Sequence, residues 1–196
     1  MQFINLENRY KEHQLKIVGY TMNKKDFETR TNIIKETFMD DKNIKCHIPT
    51  EELELDENIH QEGDFFMTED GEFVDLEFQF TDFTEDELVK FIELAENLHE
   101  KYERKITIYI LCPKYINVYV KEIEIMSDAD FRIKLCCTNI DPCEVILNGI
   151  KNKIKNNEFL DEDDFHALAM LPVMCDKDKK HYFRSESIKI RNRLPY

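Results

Sequence analysis

At 196 residues the chain suits one domain, or one domain with an appendage, and 42% hydrophobic residues supply a core and exclude wholesale disorder. No apolar run approaches the ~18 residues that span a bilayer, and the polar start MQFINLENRYKEHQLK is unlike a signal peptide, so a cytoplasmic protein with no membrane partner is expected. The formal charge of −14 is unsuited to gripping nucleic acid by net charge; residues 51–100 hold nineteen acidic residues against one lysine, which leaves the remainder slightly basic.

Residues 1–20 read as a polar arm closing on a short strand, Lys16–Tyr20. Behind the N-cap candidate Asn23, residues 24–39 carry a helical stripe of Phe27, Arg30, Ile34 and Phe38. Residues 43–60 are irregular and acidic, with a short strand around Leu53–Leu55. The clearest hairpin is GDFFMTEDGEFVDLEFQF (63–80), where Asp70-Gly71 suits a two-residue turn whose centres both need positive φ. After it, Val74, Leu76, Phe78 and Phe80 alternate with Phe73, Asp75, Glu77 and Gln79. Thr84-Glu85-Asp86-Glu87 has the form of a capping box, opening a helix to Tyr102 with Leu88, Phe91, Ile92, Ala95, Leu98 and Tyr102 inward. Lys105–Cys112 reads as a buried strand, followed by strands at 116–120, 122–126 and 132–137. Asp141-Pro142 opens an amphipathic helix through Lys155, with Cys143, Ile146, Leu147, Ile150 and Ile154 inward. A last helix starts near Asp161 and stops before Pro172, and 176–196 is a charged tail. This order predicts a mixed α/β domain over residues 1–175.

The chemistry-bearing residues gather in the hairpin. With Asp70 and Gly71 as turn centres, Met67 faces Val74 and Asp64 faces Glu77, and directly opposed residues share a face with Cβ atoms ~5 Å apart. Two carboxylates held that close repel by roughly 3 kcal/mol at an effective dielectric near 20. Protonating one, splaying both into water, or placing a divalent cation between them relieves the cost; Mg²⁺ takes one or two carboxylates plus waters. A solvent-facing acidic sheet surface accounts for the same residues with no chemistry at all, and a three-residue turn with a bulge would break the pairing. Elsewhere the signals are weak. The six cysteines show no CxxC and no cysteine–histidine pairing, so structural thiols are expected. There is no phosphate-cradling glycine loop and no recognisable nucleophile motif.

A helix bearing Glu, a strand with Asp, a short turn, a strand with E-x-K or E-x-Q, a helix and a buried strand is the order of the PD-(D/E)XK nuclease superfamily. Asp64, Glu77-Phe78-Gln79, the Glu85–Tyr102 helix and the Lys105–Cys112 strand follow it, and VDLEFQ resembles the Rpn/YhgA-like transposase-associated nucleases, as does Leu171-Pro172 after the acidic helix. The resemblance spans about residues 24–175. It implies a restriction-endonuclease-like core, a mixed central sheet flanked by helices, and Mg²⁺- or Mn²⁺-dependent hydrolysis of DNA. Carried over, it makes Asp64 and Glu77 metal ligands together with the Phe78 carbonyl, puts Gln79 in the place of the catalytic lysine, and assigns the helix carboxylate to Glu36 or Glu28. Glutamine only exchanges hydrogen bonds, where lysine would also offset negative charge, so a slower enzyme is expected. Lys101, Arg104 and Lys105 are the phosphate-contact candidates, although cations at a helix C-terminus are favoured by its dipole in any case. A homodimer is compatible with this reading, since a single-site nuclease needs two copies to cut both strands. The competing reading is a non-catalytic descendant of the same fold that acts as a protein-interaction or regulatory module; a sequence-nonspecific DNA binder fits the charge least well.

Overall fold

A computed structural model describes residues 22–56, 58–60, 62–120 and 131–192. In chain order its elements are α1 (Lys24–Thr37), β1 (Ile44–Ile48), β2 (Asp64–Thr68), β3 (Phe73–Phe78), α2 (Glu85–Tyr102), β4 (Ile106–Pro113), β5 (Phe131–Thr138), α3 (Pro142–Lys155), α4 (Glu162–Met174) and α5 (Lys180–Arg191). The five strands line up β1-β2-β3-β4-β5. β1/β2 and β2/β3 are antiparallel. On the other side of β3, the Phe73 N–H donates to the Lys105 carbonyl and the Gln79 N–H to the Leu111 carbonyl. Both partners advance together along the chain, so β3 and β4 run parallel. A parallel pair needs a long crossover, which α2 supplies. The result is an α/β chain with a mixed open sheet flanked by helices. The described residues fall into two compact units, the first holding those up to Glu77, Thr84–Ile110 and Val120–Cys136, the second Phe78–Phe83, Leu111–Tyr119 and those from Cys137 onward.

In the first unit, Asn23 caps α1 by accepting from the Lys25 and Asp26 N–H groups, as its position predicts. α1 turns Ile33 and Ile34 inward and sets Phe27 edge-on to Phe66 of β2, ring centroids 5.8 Å apart. The Thr84 side chain accepts from the Glu87 N–H to start α2, which buries Phe91, Leu94, Ala95 and Leu98 and sets Tyr102 edge-on to Phe73 of β3 at 5.2 Å. The hairpin therefore has α1 against the Phe66 face and α2 against the Phe73 face. Every residue of β4 is buried, in keeping with a parallel strand covered on both sides.

In the second unit, Cys143, Leu147 and Ile150 of α3 pack with Leu160, Leu168 and Leu171, and with Phe183 and Ile190 of α5. The charged segment after Asp176, predicted as a tail, is thus largely helix with its own buried face. α4 also runs through Pro172 rather than stopping before it. Proline offers no N–H to the carbonyl four residues back, Leu168, and that carbonyl is met instead by the Ser187 hydroxyl of α5 at 2.7 Å. The strand expected over 116–120 reduces to one bridge, Val118 with Phe83. Nothing extended forms around Leu53–Leu55, where Glu54 has φ 44°. The strands expected at 16–20 and 122–126 lie outside the described residues. Among the described residues no helix is long and apolar enough to cross a membrane.

Candidate acidic site in the β2–β3 hairpin

The hairpin forms, but its loop has three residues instead of two. The Thr68 N–H donates to the Glu72 carbonyl at 3.0 Å, closing Glu69-Asp70-Gly71, and Gly71 takes φ 87°, the left-handed conformation that such a loop reserves for glycine. Thr68 Oγ1 accepts from the Glu72 N–H and donates to Asp70 Oδ1, which fixes the tip. The register is consequently Asp64 opposite Leu76, Phe65 opposite Asp75, Phe66 opposite Val74 and Met67 opposite Phe73. This corrects the expected opposition of Asp64 and Glu77: a shift of one residue moves each side chain to the other face. Asp64 shares the α1 face with Leu76, whereas Asp75 and Glu77 share the α2 face with Phe73.

Neither face is solvated. Phe73, Val74, Asp75, Leu76 and Glu77 are all buried, with Asp75 at 0% and Glu77 at 4% exposure. An acidic sheet surface open to water is therefore not what β3 presents. Among the described residues no donor reaches either oxygen of Asp75. Burial, and then the neighbouring charge and carboxyl of Glu77, push Asp75 well above the usual carboxylate range, with a smaller contribution from Asp64.

Two residues outside the strands complete the cluster. Gly63 precedes β2, and a Cβ built there would lie 2.0 Å from Asp75 Oδ1 and 2.6 Å from Glu77 Oε1, so only glycine leaves room for both oxygens. His60 brings Nε2 to 3.0 Å from Glu77 Oε1 and rests edge-on against Phe91 of α2, centroids 5.1 Å apart. Burial alone would lower the His60 pKa; its contact with Glu77 and the Glu77 charge outweigh that and hold it above the ordinary histidine value.

Asp64 has a different partner. Arg30 Nε of α1 lies 2.6 Å from Asp64 Oδ2, with both side chains largely covered. Arg30 is thus the α1 residue that meets the hairpin carboxylate, while Glu36 and Glu28 are exposed on that helix and Glu28 lies 3.8 Å from Lys24. Phe78 ends β3 half-buried. Gln79, in the second unit, is buried, and its amide donates to the carbonyl and hydroxyl of Thr81 at 3.2 Å each. Of the phosphate-contact candidates, Arg104 donates to the Gly71 carbonyl at 2.8 Å and lies over the Phe73 ring, and Lys101 donates to the Glu54 carbonyl, so both brace the structure. Lys105 is exposed.

Among the described residues no three His, Cys, Asp or Glu side chains assemble into a metal cage. What converges is a pair, Asp75 and Glu77, on hard oxygen donors; that suits a cation which keeps most of its waters, such as Mg²⁺ or Mn²⁺, better than a tetrahedral zinc site. Asp75 lies inside VDLEFQ and Gly63 opens the hairpin segment, yet nothing in the sequence singles out either of them, or His60, as a site residue. The available signal was Phe73, an aromatic residue on the same alternating row as Asp75 and Glu77, which marks that row as covered. Compared with family models, curated proteins and solved structures, the chain matches none.

Proposed function

We propose that the chain is a metal-dependent DNA endonuclease of the PD-(D/E)XK type, with its cation held by Glu77 and a second hairpin carboxylate. The observation that carries this reading is the buried carboxylate couple in β3. Two acidic groups sunk into a sheet, one of them without a single hydrogen-bond donor, cost the fold several kcal/mol unless something positive compensates them. A bound Mg²⁺ or Mn²⁺ supplies a Lewis acid for the phosphate and a water of lowered pKa. The chain's own residues orient Glu77: β3 fixes its backbone and His60 sits on its Oε1. Gln79 exchanges hydrogen bonds only, which agrees with an enzyme that leans on its metal. The parallel β3-α2-β4 unit after the acidic strand fits the element order of this fold. DNA as substrate, a homodimer that cuts both strands, and a cytoplasmic setting all belong to this reading.

The test is nicking of supercoiled plasmid with Mg²⁺ or Mn²⁺ by the wild type and by Glu77→Gln. Metal-dependent nicking lost in the variant supports the enzyme. A folded wild type that neither nicks DNA nor binds metal overturns it.

A second reading has its own observation. Asp64 is already matched by Arg30 and Glu77 by His60, so of Asp64, Asp75 and Glu77 the fold supplies internal partners for two. A non-catalytic descendant that acts by binding a protein partner would look this way.

A further inference from the structure

Resting on the nuclease reading of the hairpin, we propose that Asp75, and not Asp64, is the carboxylate that shares the divalent cation with Glu77, with Gly63 keeping the oxygens of the pair accessible to one ion. Three independent features lead there. First, Asp75 is fully enclosed, and among the described residues no donor reaches either of its oxygens. Buried carboxylates are otherwise met by backbone N–H groups, arginine or lysine, because an unmet one forfeits its hydration for nothing. Across the same hairpin Asp64 has Arg30 at 2.6 Å and Glu72 has Lys42 at 2.7 Å, so the fold matches its other carboxylates and leaves this one open.

Second, the Oδ1 of Asp75 and the Oε1 of Glu77 turn toward the same point above Gly63, closely enough that a methyl group there would strike both. Convergent carboxylate oxygens repel, and a hard cation is the usual reason for a chain to hold them so. The absent side chain at position 63 also fits this: the glycine has no positive φ to demand it, since Gly71 alone takes one among the described glycines. Its role is spatial.

Third, register separates Asp64 from the pair. Asp64 lies opposite Leu76 on the α1 face, and its Oδ2 is already taken by Arg30. For Asp64 to join Glu77 it would have to give up that partner and cross the strand. Asp75 is two residues from Glu77 on the same strand, and alternation alone puts it on the same face.

The experiment is calorimetric titration of Mn²⁺ into the full chain as wild type, Asp75→Asn, Glu77→Gln and Asp64→Asn, with plasmid nicking measured on the same preparations. Asp75→Asn and Glu77→Gln are expected to weaken Mn²⁺ binding by more than the about 10–100-fold that loss of a second-shell partner costs, with Asp64→Asn close to wild type. In case a β3 variant does not fold, ¹³C-carboxyl NMR of the wild type gives the same answer: trace Mn²⁺ broadens the Asp75 and Glu77 side-chain signals before that of Asp64. Binding and nicking retained by Asp75→Asn but lost by Asp64→Asn would overturn the assignment and leave the nuclease standing. A wild type that binds no Mn²⁺ and nicks no DNA would overturn both.

Discussion

Replacing Gly63 by alanine measures how tightly the acidic couple is enclosed. The new Cβ would lie 2.0 Å from Asp75 Oδ1, 2.9 Å from its Cγ and 2.6 Å from Glu77 Oε1. All are atoms of side chains with almost no exposure, so the carboxyl of Asp75 has to move within a packed sheet. Overpacking of this kind costs about 1–3 kcal/mol. Against it stands the smaller conformational freedom of unfolded alanine, which returns about 0.4–1 kcal/mol where the native φ is compatible. The net expectation is a loss of roughly 1–2 kcal/mol, or a drop in Tm of about 2–8 °C for a chain of this size. Urea and thermal unfolding would read it. In an Asp75→Ala background two of the three close contacts disappear, so the same substitution should cost less, with a coupling of about 0.5–3 kcal/mol in the double-mutant cycle. A neutral or stabilising Gly63→Ala in the wild type would refute the geometry on which the site depends.

Other regions give further expectations. Phe183→Ala removes a fully buried ring from the α3–α5 core and should cost about 3–5 kcal/mol by urea denaturation; a cost near zero would return the segment after Asp176 to a frayed tail. Lys153 Nζ meets both Asp164 oxygens at 2.9 and 2.8 Å, so Lys153→Met should destabilise by about 1–3 kcal/mol, and Asp164→Asn in the same background should recover part of it. Asp40 is raised by burial, but hydrogen bonds from Lys134 and Tyr109 outweigh that and hold it below its ordinary value. Its stabilising contribution is therefore complete above the unfolded pKa and lost as pH falls through the lower folded one. Asp40→Asn should be less stable than the wild type at neutral pH, and the gap should close on acidification; a gap that widened would contradict the sign.

Much of the fold is legible in the sequence because it rests on local signals. Asn23, Thr84 and Asp141 cap the helices they were expected to start, since each places a side-chain oxygen against N–H groups that the first turn leaves unmet. The apolar run at 105–112 becomes the fully buried β4. Pro172 was misread because its compensation lies outside its own helix, in the hydroxyl of Ser187. The helical segment after Asp176 hides its three buried positions, Phe183, Ser187 and Ile190, in a run of charge.

The site was half legible. Asp70-Gly71 correctly marks the turn, but the dipeptide serves two-residue and three-residue loops alike, and the Thr68 hydroxyl bonds that select the longer loop are tertiary detail. That single residue of register decides which carboxylate accompanies Glu77. Alternation puts Asp75 beside Glu77 on one face, yet whether that face meets water or α2 depends on the crossover, which no local pattern reveals. His60 and Gly63 enter only through the path of the chain before β2.

Crystals soaked in Mn²⁺ decide whether the Asp75–Glu77 couple holds a cation. The expected result is an anomalous peak about 2.0–2.6 Å from an oxygen of each residue, with waters completing the shell and Arg30 still on Asp64. An Mn²⁺-soaked crystal with no peak in the hairpin, or with the peak on Asp64 while Asp75 still turns to Glu77, would contradict it.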